Sequence, residues 1–334
     1  MQAASGLDLQ AILAAHARIS DKISFTPMLT SSTLDEACGQ RLYFKCENLQ
    51  KTGAFKARGA TNAVFALTVE EAAHGVVTHS SGNHAAALAR AAALRGIPAY
   101  IVMPRTAALA KQASVLRYGG DVRLCEPTIQ ARESAARELQ AQTGATLIHP
   151  YNDLRVMAGQ GTTALEMLRQ VPDLDVIICP VGGGGHLAGI AVAAKSVKPS
   201  IRVLGAEPAA ADDAARSFRS GTIFPSVQPQ SIADGLLSSL GELSFAQIRR
   251  HVDDIITVSE EEIIAAMRSI WEVMKLVVEP SAAVGHAAVA AISPGRRGLR
   301  IGVVLTGGNL DLDKLPWQAK VSALSTSATP RDKE

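Results

Sequence analysis

The stretch Val176-Ile177-Ile178-Cys179-Pro180-Val181-Gly182-Gly183-Gly184-Gly185-His186-Leu187-Ala188-Gly189-Ile190-Ala191-Val192 decides the fold. An apolar run of strand length is followed by four glycines and then by a helix-like segment. This order exposes backbone N–H groups at the positive end of a helix, where an anion binds. Glycines let the backbone approach that anion with no Cβ in the way, at an entropic cost that a ligand justifies. The pattern therefore predicts a phosphate site. Its owner is open at this point. Gly183, Gly185 and Ala188 fit the G-x-G-x-x-G/A dinucleotide spacing, and Glu207 ends the next strand, where a ribose-binding acid belongs. A phosphorylated cofactor or substrate is the favoured owner over a dinucleotide, and a tight turn without a ligand is the plain structural alternative.

Outward from this stretch, strand-like and helix-like runs alternate. Strands are predicted at Leu42–Cys46, Gly75–Thr78, Ala99–Met103, Asp121–Leu124, Thr146–His149, Val176–Pro180, Arg202–Ala206, Asp254–Val258 and Arg300–Leu305. Helical segments lie at Ala85–Leu94, Ala107–Tyr118, Gln130–Gln142 and Ala158–Arg169. Such alternation implies an α/β fold with mostly parallel sheets, and strands apolar throughout imply cover on both faces. Val321–Glu334, rich in Ser, Thr and charge, reads as a loose tail.

The 334 residues suffice for two domains or one large one, and 47% hydrophobic content supplies their core. A net charge of +2, from 33 basic and 31 acidic residues, gives no general attraction to nucleic acid or acidic membranes. Aromatic content of 4% is too low for base-stacking platforms. Cys38, Cys46, Cys125 and Cys179 lie far apart and form no CxxC pair, so free thiols in a reducing compartment are expected. Met1–Gln10 lacks the basic and apolar regions of a secretory signal, and no run of about 20 apolar residues appears. A soluble cytoplasmic protein with neither nucleic-acid nor membrane partners is the expectation.

A second segment settles the owner of the phosphate: Phe44-Lys45-Cys46-Glu47-Asn48-Leu49-Gln50-Lys51-Thr52-Gly53-Ala54-Phe55-Lys56-Ala57-Arg58-Gly59-Ala60. A strand ends near Cys46, a loop follows, and Lys56 stands near a helix start. The positive end of a helix disfavours an ammonium, and a neutral lysine is a nucleophile toward an aldehyde. Taken alone, Lys56 would be a solvated helix lysine. The segment, however, resembles the cofactor-lysine motif of fold-type II (tryptophan synthase β-like) pyridoxal-phosphate enzymes, the group of serine racemase, serine/threonine dehydratase and 3-hydroxyaspartate dehydratase. The resemblance covers about residues 10–318, with motifs in the same order. They include Thr78-His79-Ser80-Ser81-Gly82-Asn83-His84, Pro180–Gly185, Gly205-Ala206-Glu207-Pro208 through Asp213, Ile232-Ala233-Asp234-Gly235, Val278-Glu279-Pro280-Ser281-Ala282 and Leu305-Thr306-Gly307-Gly308-Asn309.

The resemblance implies the following roles. Lys56 carries pyridoxal 5′-phosphate and, once freed, removes the substrate Cα proton. Phe55 packs on the cofactor ring. Gly182, Gly183, Gly184 and Gly185 hold the phosphate, which also helps proton transfer to the departing hydroxyl. Asn83 bonds the 3-oxygen of the ring. Thr306 faces the ring nitrogen with a hydroxyl that cannot protonate it as an aspartic acid would, which favours β-elimination. Ser80, Ser81, Asn83 and His84 hold the α-carboxylate. Ser81 matches the serine that, in serine racemases, delivers a proton on the face opposite the lysine. Arg132 matches an arginine able to meet a second carboxylate, as in 3-hydroxyaspartate. Glu207, Asp213 and the Ala211 carbonyl match a divalent-cation site suited to Mg²⁺, Ca²⁺ or Mn²⁺.

Two departures weigh against dominant racemase function. Ala85 and Ala86 follow His84 where animal serine racemases have Gly and Gln, and Tyr151 stands where they have Asn. The run from Thr306 to Trp317 resembles bacterial hydroxyaspartate dehydratases, and too few residues follow Trp317 for a regulatory domain. The expectation is two open twisted sheet domains with flanking helices: residues 1–74 and 153–334 form a large cofactor-binding domain, and 75–152 a small mobile one. The expected activity is dehydration of a small 3-hydroxy amino acid (serine, threonine or 3-hydroxyaspartate) to a 2-oxo acid and ammonia, by a homodimer. Serine racemase with side dehydratase activity is the main alternative. A non-catalytic pyridoxal-phosphate-binding protein and a redox NAD enzyme are remote ones.

Overall fold

In the computed structural model, which describes residues 6–80, 82–107, 109–292 and 297–318, ten strands form two sheets among the described residues. The six-stranded sheet contains β1 (Met28–Leu29), β2 (Arg41–Cys46), β7 (Val176–Pro180), β8 (Arg202–Pro208), β9 (Asp254–Val258) and β10 (Arg300–Leu305). Its order is β1-β2-β10-β7-β8-β9, parallel except for β1. The four-stranded sheet contains β3 (Val76–His79), β4 (Ala99–Pro104), β5 (Asp121–Cys125) and β6 (Thr146–Leu147), ordered β5-β4-β3-β6 and parallel throughout.

The apolar strands behave as covered strands must. Along β7, Ile177 and Cys179 enter one hydrophobic cluster while Val176 and Ile178 enter the other, on the opposite face. The four-stranded sheet has its own pair of clusters: Val76, Ile101 and Met103 on one side, Val77 and Val102 on the other.

Strand order determines where a ligand can sit. β10, last in the chain, inserts between β2 and β7, so the carboxyl ends of these three neighbours lie side by side. In open parallel sheets that edge, where the strand order reverses, is the ligand crevice. The ends of β2, β10 and β7 lead into Lys56, Thr306 and Gly182–Gly185 respectively.

Behind the crevice the helices Lys56–Ala66 and Leu154–Gln170 pack in direct backbone contact. A Cβ at Gly159 would lie 2.7 Å from the Arg58 carbonyl oxygen, so only glycine permits this crossing. At the same crossing lies a fully buried ionic cluster. Arg58 donates to Glu47 at 2.7 and 2.8 Å and to Glu166 at 2.7 and 2.8 Å. Lys45 donates to Glu166 at 2.6 Å, to the Thr26 carbonyl at 2.7 Å and to Gln170 at 2.9 Å. Burial alone would raise the Glu47 carboxyl, but the Arg58 guanidinium overrides it and holds Glu47 at about 2.

All nine predicted strands are present, and the predicted helical segments fall within Asn83–Arg95, Leu109–Arg117, Ile129–Thr143 and Leu154–Gln170, apart from end residues. Two differences have physical causes. The strand predicted at Thr146–His149 stops at Leu147, because His149 Nδ1 accepts the Tyr151 and Asn152 N–H groups at 3.3 and 2.9 Å and turns the chain. β1 has only two residues, too few for any periodic signal. The tail at 321–334 lies outside the described residues.

Glu166→Ala strips Lys45 and Arg58 of a shared buried counter-charge, and should cost about 3–5 kcal/mol of unfolding free energy in urea titration. A loss under about 1 kcal/mol would contradict the assigned importance of this cluster.

Candidate active site

Two short 3₁₀ turns, Glu47–Leu49 and Lys51–Gly53, carry the chain from β2 to Lys56, the first residue of the helix Lys56–Ala66. The approach is pinned to the end of β10: Ala54 bridges Gly307, and the Phe55 N–H donates to the Thr306 carbonyl at 3.0 Å. The Lys56 amine donates to the Pro150 carbonyl at 2.8 Å. Burial pushes it down to about 8, so an appreciable fraction is neutral at neutral pH. The lysine does open a helix, as its sequence context predicts, but desolvation is the cause of the shift. The Phe55 ring stacks on His186, with centroids 3.8 Å apart and planes at 5°. His186 is set by Thr163 at 3.2 Å and the Cys179 sulfur at 3.6 Å, and burial pushes it to about 3, so this support is uncharged.

The glycine loop turns at Gly184, whose φ of +85° lies in the left-handed region, and Gly185 opens the helix Gly185–Val197. The Gly183 carbonyl accepts the Ser244 hydroxyl at 2.8 Å and the Gly241 N–H at 3.3 Å. The first N–H groups of the helix have no intrahelical acceptor and form the positive end of its dipole. Tyr151 backs the loop: a Cβ on Gly183 would fall 2.4 Å from its ring.

The opposite wall comes from the four-stranded sheet. Past His79 at the end of β3, the Ser80 N–H donates to the Val102 carbonyl at 3.1 Å, and the Ser80 hydroxyl accepts the Gly82 N–H at 3.3 Å. Asn83 opens the next helix and its Nδ2 donates to Glu279 Oε1 at 2.9 Å. The His84 ring is buried with neither nitrogen hydrogen-bonded, and burial, then the Lys56 charge, push it well below its ordinary value.

One cavity of about 590 Å³ gathers Phe55, Lys56, Ser80, Asn83, His84, Arg132, Gly182–Gly185 and Thr306. The sequence drew these residues from five separate motifs. Ser81 lies outside the described residues. The walls also carry His149, Tyr151, Lys111, Asp234 and Glu279, to which the sequence assigned no role. Tyr151 stood out as a departure from a family pattern, and Asp234 and Glu279 lie inside quoted motifs. Lys111 and His149 had no signal beyond residue type. Lys111 pairs with Asp234, which joins the two walls.

The residues present fit pyridoxal phosphate by their chemistry: the Lys56 amine, lowered to about 8, suits its aldehyde, the backbone N–H groups of the glycine loop suit its phosphate, and the Asn83 amide suits its ring oxygen.

The cation residues lie elsewhere, at the carboxyl end of β8. Both Glu207 carboxylate oxygens accept helix-start N–H groups, from Ala214 at 2.9 Å and Ala215 at 2.8 Å. Both Asp213 oxygens are buried without a hydrogen-bond partner. Burial pushes Glu207 up to about 8 and Asp213 up to about 6. Among the described residues no group of three or more His, Cys, Asp or Glu side chains is arranged to hold a metal ion, so a cation here would complete its shell with carbonyls such as that of Ala211 and with water. Two desolvated carboxyls, one of them unpartnered, fit a hard divalent cation.

A family model described as pyridoxal-phosphate dependent enzyme matches residues 19–307. The chain is 51% identical over 306 residues to the β-hydroxyaspartate dehydratase of Paracoccus denitrificans (strain Pd 1222), covering 92% of this chain and 97% of that protein. It is 52% identical over 317 residues to the serine racemase of Arabidopsis thaliana, covering 93% and 96% respectively. The structure of maize serine racemase superposes with a TM-score of 0.91 at 46% identity, covering 96% of this chain and 99% of that one.

Millimolar Mg²⁺, Ca²⁺ or Mn²⁺ should raise the thermal unfolding midpoint by several degrees, and Asp213→Asn should remove the rise. An equal rise in Asp213→Asn would place the cation elsewhere.

Proposed function

The chain belongs to the pyridoxal-phosphate-dependent enzyme family, and from that premise we propose that it is a dehydratase of 3-hydroxy amino acids. The substrate would lose water across Cα and Cβ, and water would then replace the nitrogen to leave a 2-oxo acid and ammonia. The observation that carries this reading is the shared cavity: the Lys56 amine, the glycine anion cradle and the Arg132 guanidinium all line it.

When bound, the cofactor supplies an aldehyde for amine capture and an electron-withdrawing ring that acidifies the substrate Cα–H. The chain's own residues would do the rest. Gly182–Gly185 would hold the phosphate, Asn83 would donate to the 3-oxygen, and Phe55 would pack on the ring. The Thr306 hydroxyl would face the ring nitrogen without protonating it. Lys56, with its amine near 8, would take the Cα proton. Ser80, Ser81, Asn83 and His84 would hold the α-carboxylate. Arg132 would pair with a second carboxylate, which favours 3-hydroxyaspartate over serine and threonine. Glu207, Asp213 and the Ala211 carbonyl would hold the divalent cation. The body formed by residues 75–152 would close over the substrate, and the Lys111–Asp234 pair and the Asn83–Glu279 bond span the two walls in keeping with such closure. Serine racemisation is the second reading. It is supported by the 52% identity to the Arabidopsis serine racemase and by the motif resemblance that matches Ser81 to the serine acting as opposite-face acid in serine racemases.

A substrate panel tests this directly. Incubation with serine, threonine and both 3-hydroxyaspartate diastereomers should yield oxo acid and ammonia, with the highest kcat/KM on 3-hydroxyaspartate. Arg132→Gln should lower that value about 100-fold and change the value for serine less than about threefold. Accumulation of D-serine exceeding pyruvate would favour the racemase, and no turnover of any substrate would overturn both. Capture of pyridoxal phosphate by the apoenzyme should speed up as pH rises through about 8 and then level off, since the neutral amine is the reactive form. A rise continuing to about pH 10, as for an ordinary lysine, would contradict the shifted amine.

A further inference from the structure

Asn83 is gripped at both ends of its amide. Its Nδ2 donates to Glu279 Oε1 at 2.9 Å, and its Oδ1 accepts Asn309 Nδ2 at 2.9 Å. Asn309 is anchored in turn by donating from the same nitrogen to the Thr52 carbonyl at 2.7 Å. These bonds distinguish the two ends of the amide: the oxygen faces a donor, and the nitrogen faces a carboxyl. An NH₂ group has two protons, and one is left for the cavity that Asn83 lines.

Glu279 is equally constrained. Its backbone N–H donates to the Gly307 carbonyl at 3.0 Å, and a Cβ on Gly307 would sit 2.5 Å from Oε1. Burial, with the Asp234 charge adding to it, pushes this carboxyl up to about 8, so it is mainly the neutral acid at pH 7. A neutral carbonyl-type acceptor suffices for its contact with Asn83, and glutamine would reproduce it.

An unrestrained asparagine at this position could flip by 180° and set its carbonyl oxygen against the cofactor's ring oxygen, two acceptors with no proton between them. We infer that Glu279 and Asn309 are positioning residues that lock Asn83 with an N–H, and not its carbonyl, presented to the cofactor 3-oxygen. The lock also crosses the molecule. Asn83 follows β3 of the four-stranded sheet, whereas Glu279 and Asn309 flank β10 of the six-stranded one. It rests on the proposed role of Asn83 as the partner of that oxygen.

The test uses the full-length chain: apoprotein titrated with pyridoxal phosphate, and holoenzyme visible spectra recorded across pH. Asn83→Ala should raise the dissociation constant about tenfold and move the pH midpoint of the visible band. Glu279→Ala and Asn309→Ala should reproduce both changes, while Glu279→Gln should stay within about threefold of the parent with an unmoved midpoint. Asn309 is exposed, so its variant should fold even if Glu279→Ala does not, and then it alone decides. If Asn83→Ala shifts both readouts and Asn309→Ala shifts neither, the lock is wrong although the role of Asn83 stands. If Asn83→Ala itself shifts neither, the role of Asn83 and the lock fall together.

Discussion

Four charges without access to water set the geometry of this protein: Arg58 and Lys45 against Glu47 and Glu166. They tie the end of β2, the turn after it, the helix Lys56–Ala66 and the helix Leu154–Gln170 at one point. Such a cluster is costly to desolvate, and it is tolerable only because its charges sum to zero and its polar atoms are hydrogen-bonded. Its worth lies in directionality. A hydrophobic patch at the same place would leave the helix free to slide or rotate, whereas a guanidinium bonded to two carboxylates permits one orientation. Lys56 stands two residues before Arg58, so the orientation of the reactive amine is inherited from the cluster behind it.

The cavity in front of that cluster is electrostatically quiet. Burial pushes His84, His149 and His186 down and Glu279 up, so each favours its neutral form near pH 7. The charge that remains lies on Arg132, Lys111, Glu133 and Asp234 along the walls and, for most of the molecules at pH 7, on Lys56. On the proposed reading, a substrate carboxylate entering here would be sorted by the cations it can reach. On the same reading, the glycine loop would hold the cofactor phosphate by backbone dipoles alone, without adding a titratable group beside Lys56.

Much of this was legible in the sequence, and the boundary is instructive. Strand runs such as Val176–Pro180, the glycine turn and the lysine at a helix start are local patterns, written in consecutive residues. The strand order is not local, and β10 between β2 and β7 has no signature in its own residues. Arg58 stood inside a quoted motif without a role, because its partner Glu166 lies 108 residues away. Glu279 was invisible as a partner of Asn83 across 196 residues, and the stacking of Phe55 on His186 was equally hidden. Long-range pairing between polar residues leaves no periodicity, and chain topology alone brings these groups together. The cause of the lowered Lys56 value was misplaced for the same reason, since burial is a property of the assembled cavity.

The central claim is that Lys56, and no other amine, captures the cofactor. The direct measurement is borohydride reduction of the yellow holoenzyme followed by peptide mapping. The account predicts loss of the visible band and a single pyridoxyl-modified peptide with the added mass on Lys56. A protein that is colourless after exposure to pyridoxal phosphate, or a modification on another lysine with Lys56 untouched, would contradict it.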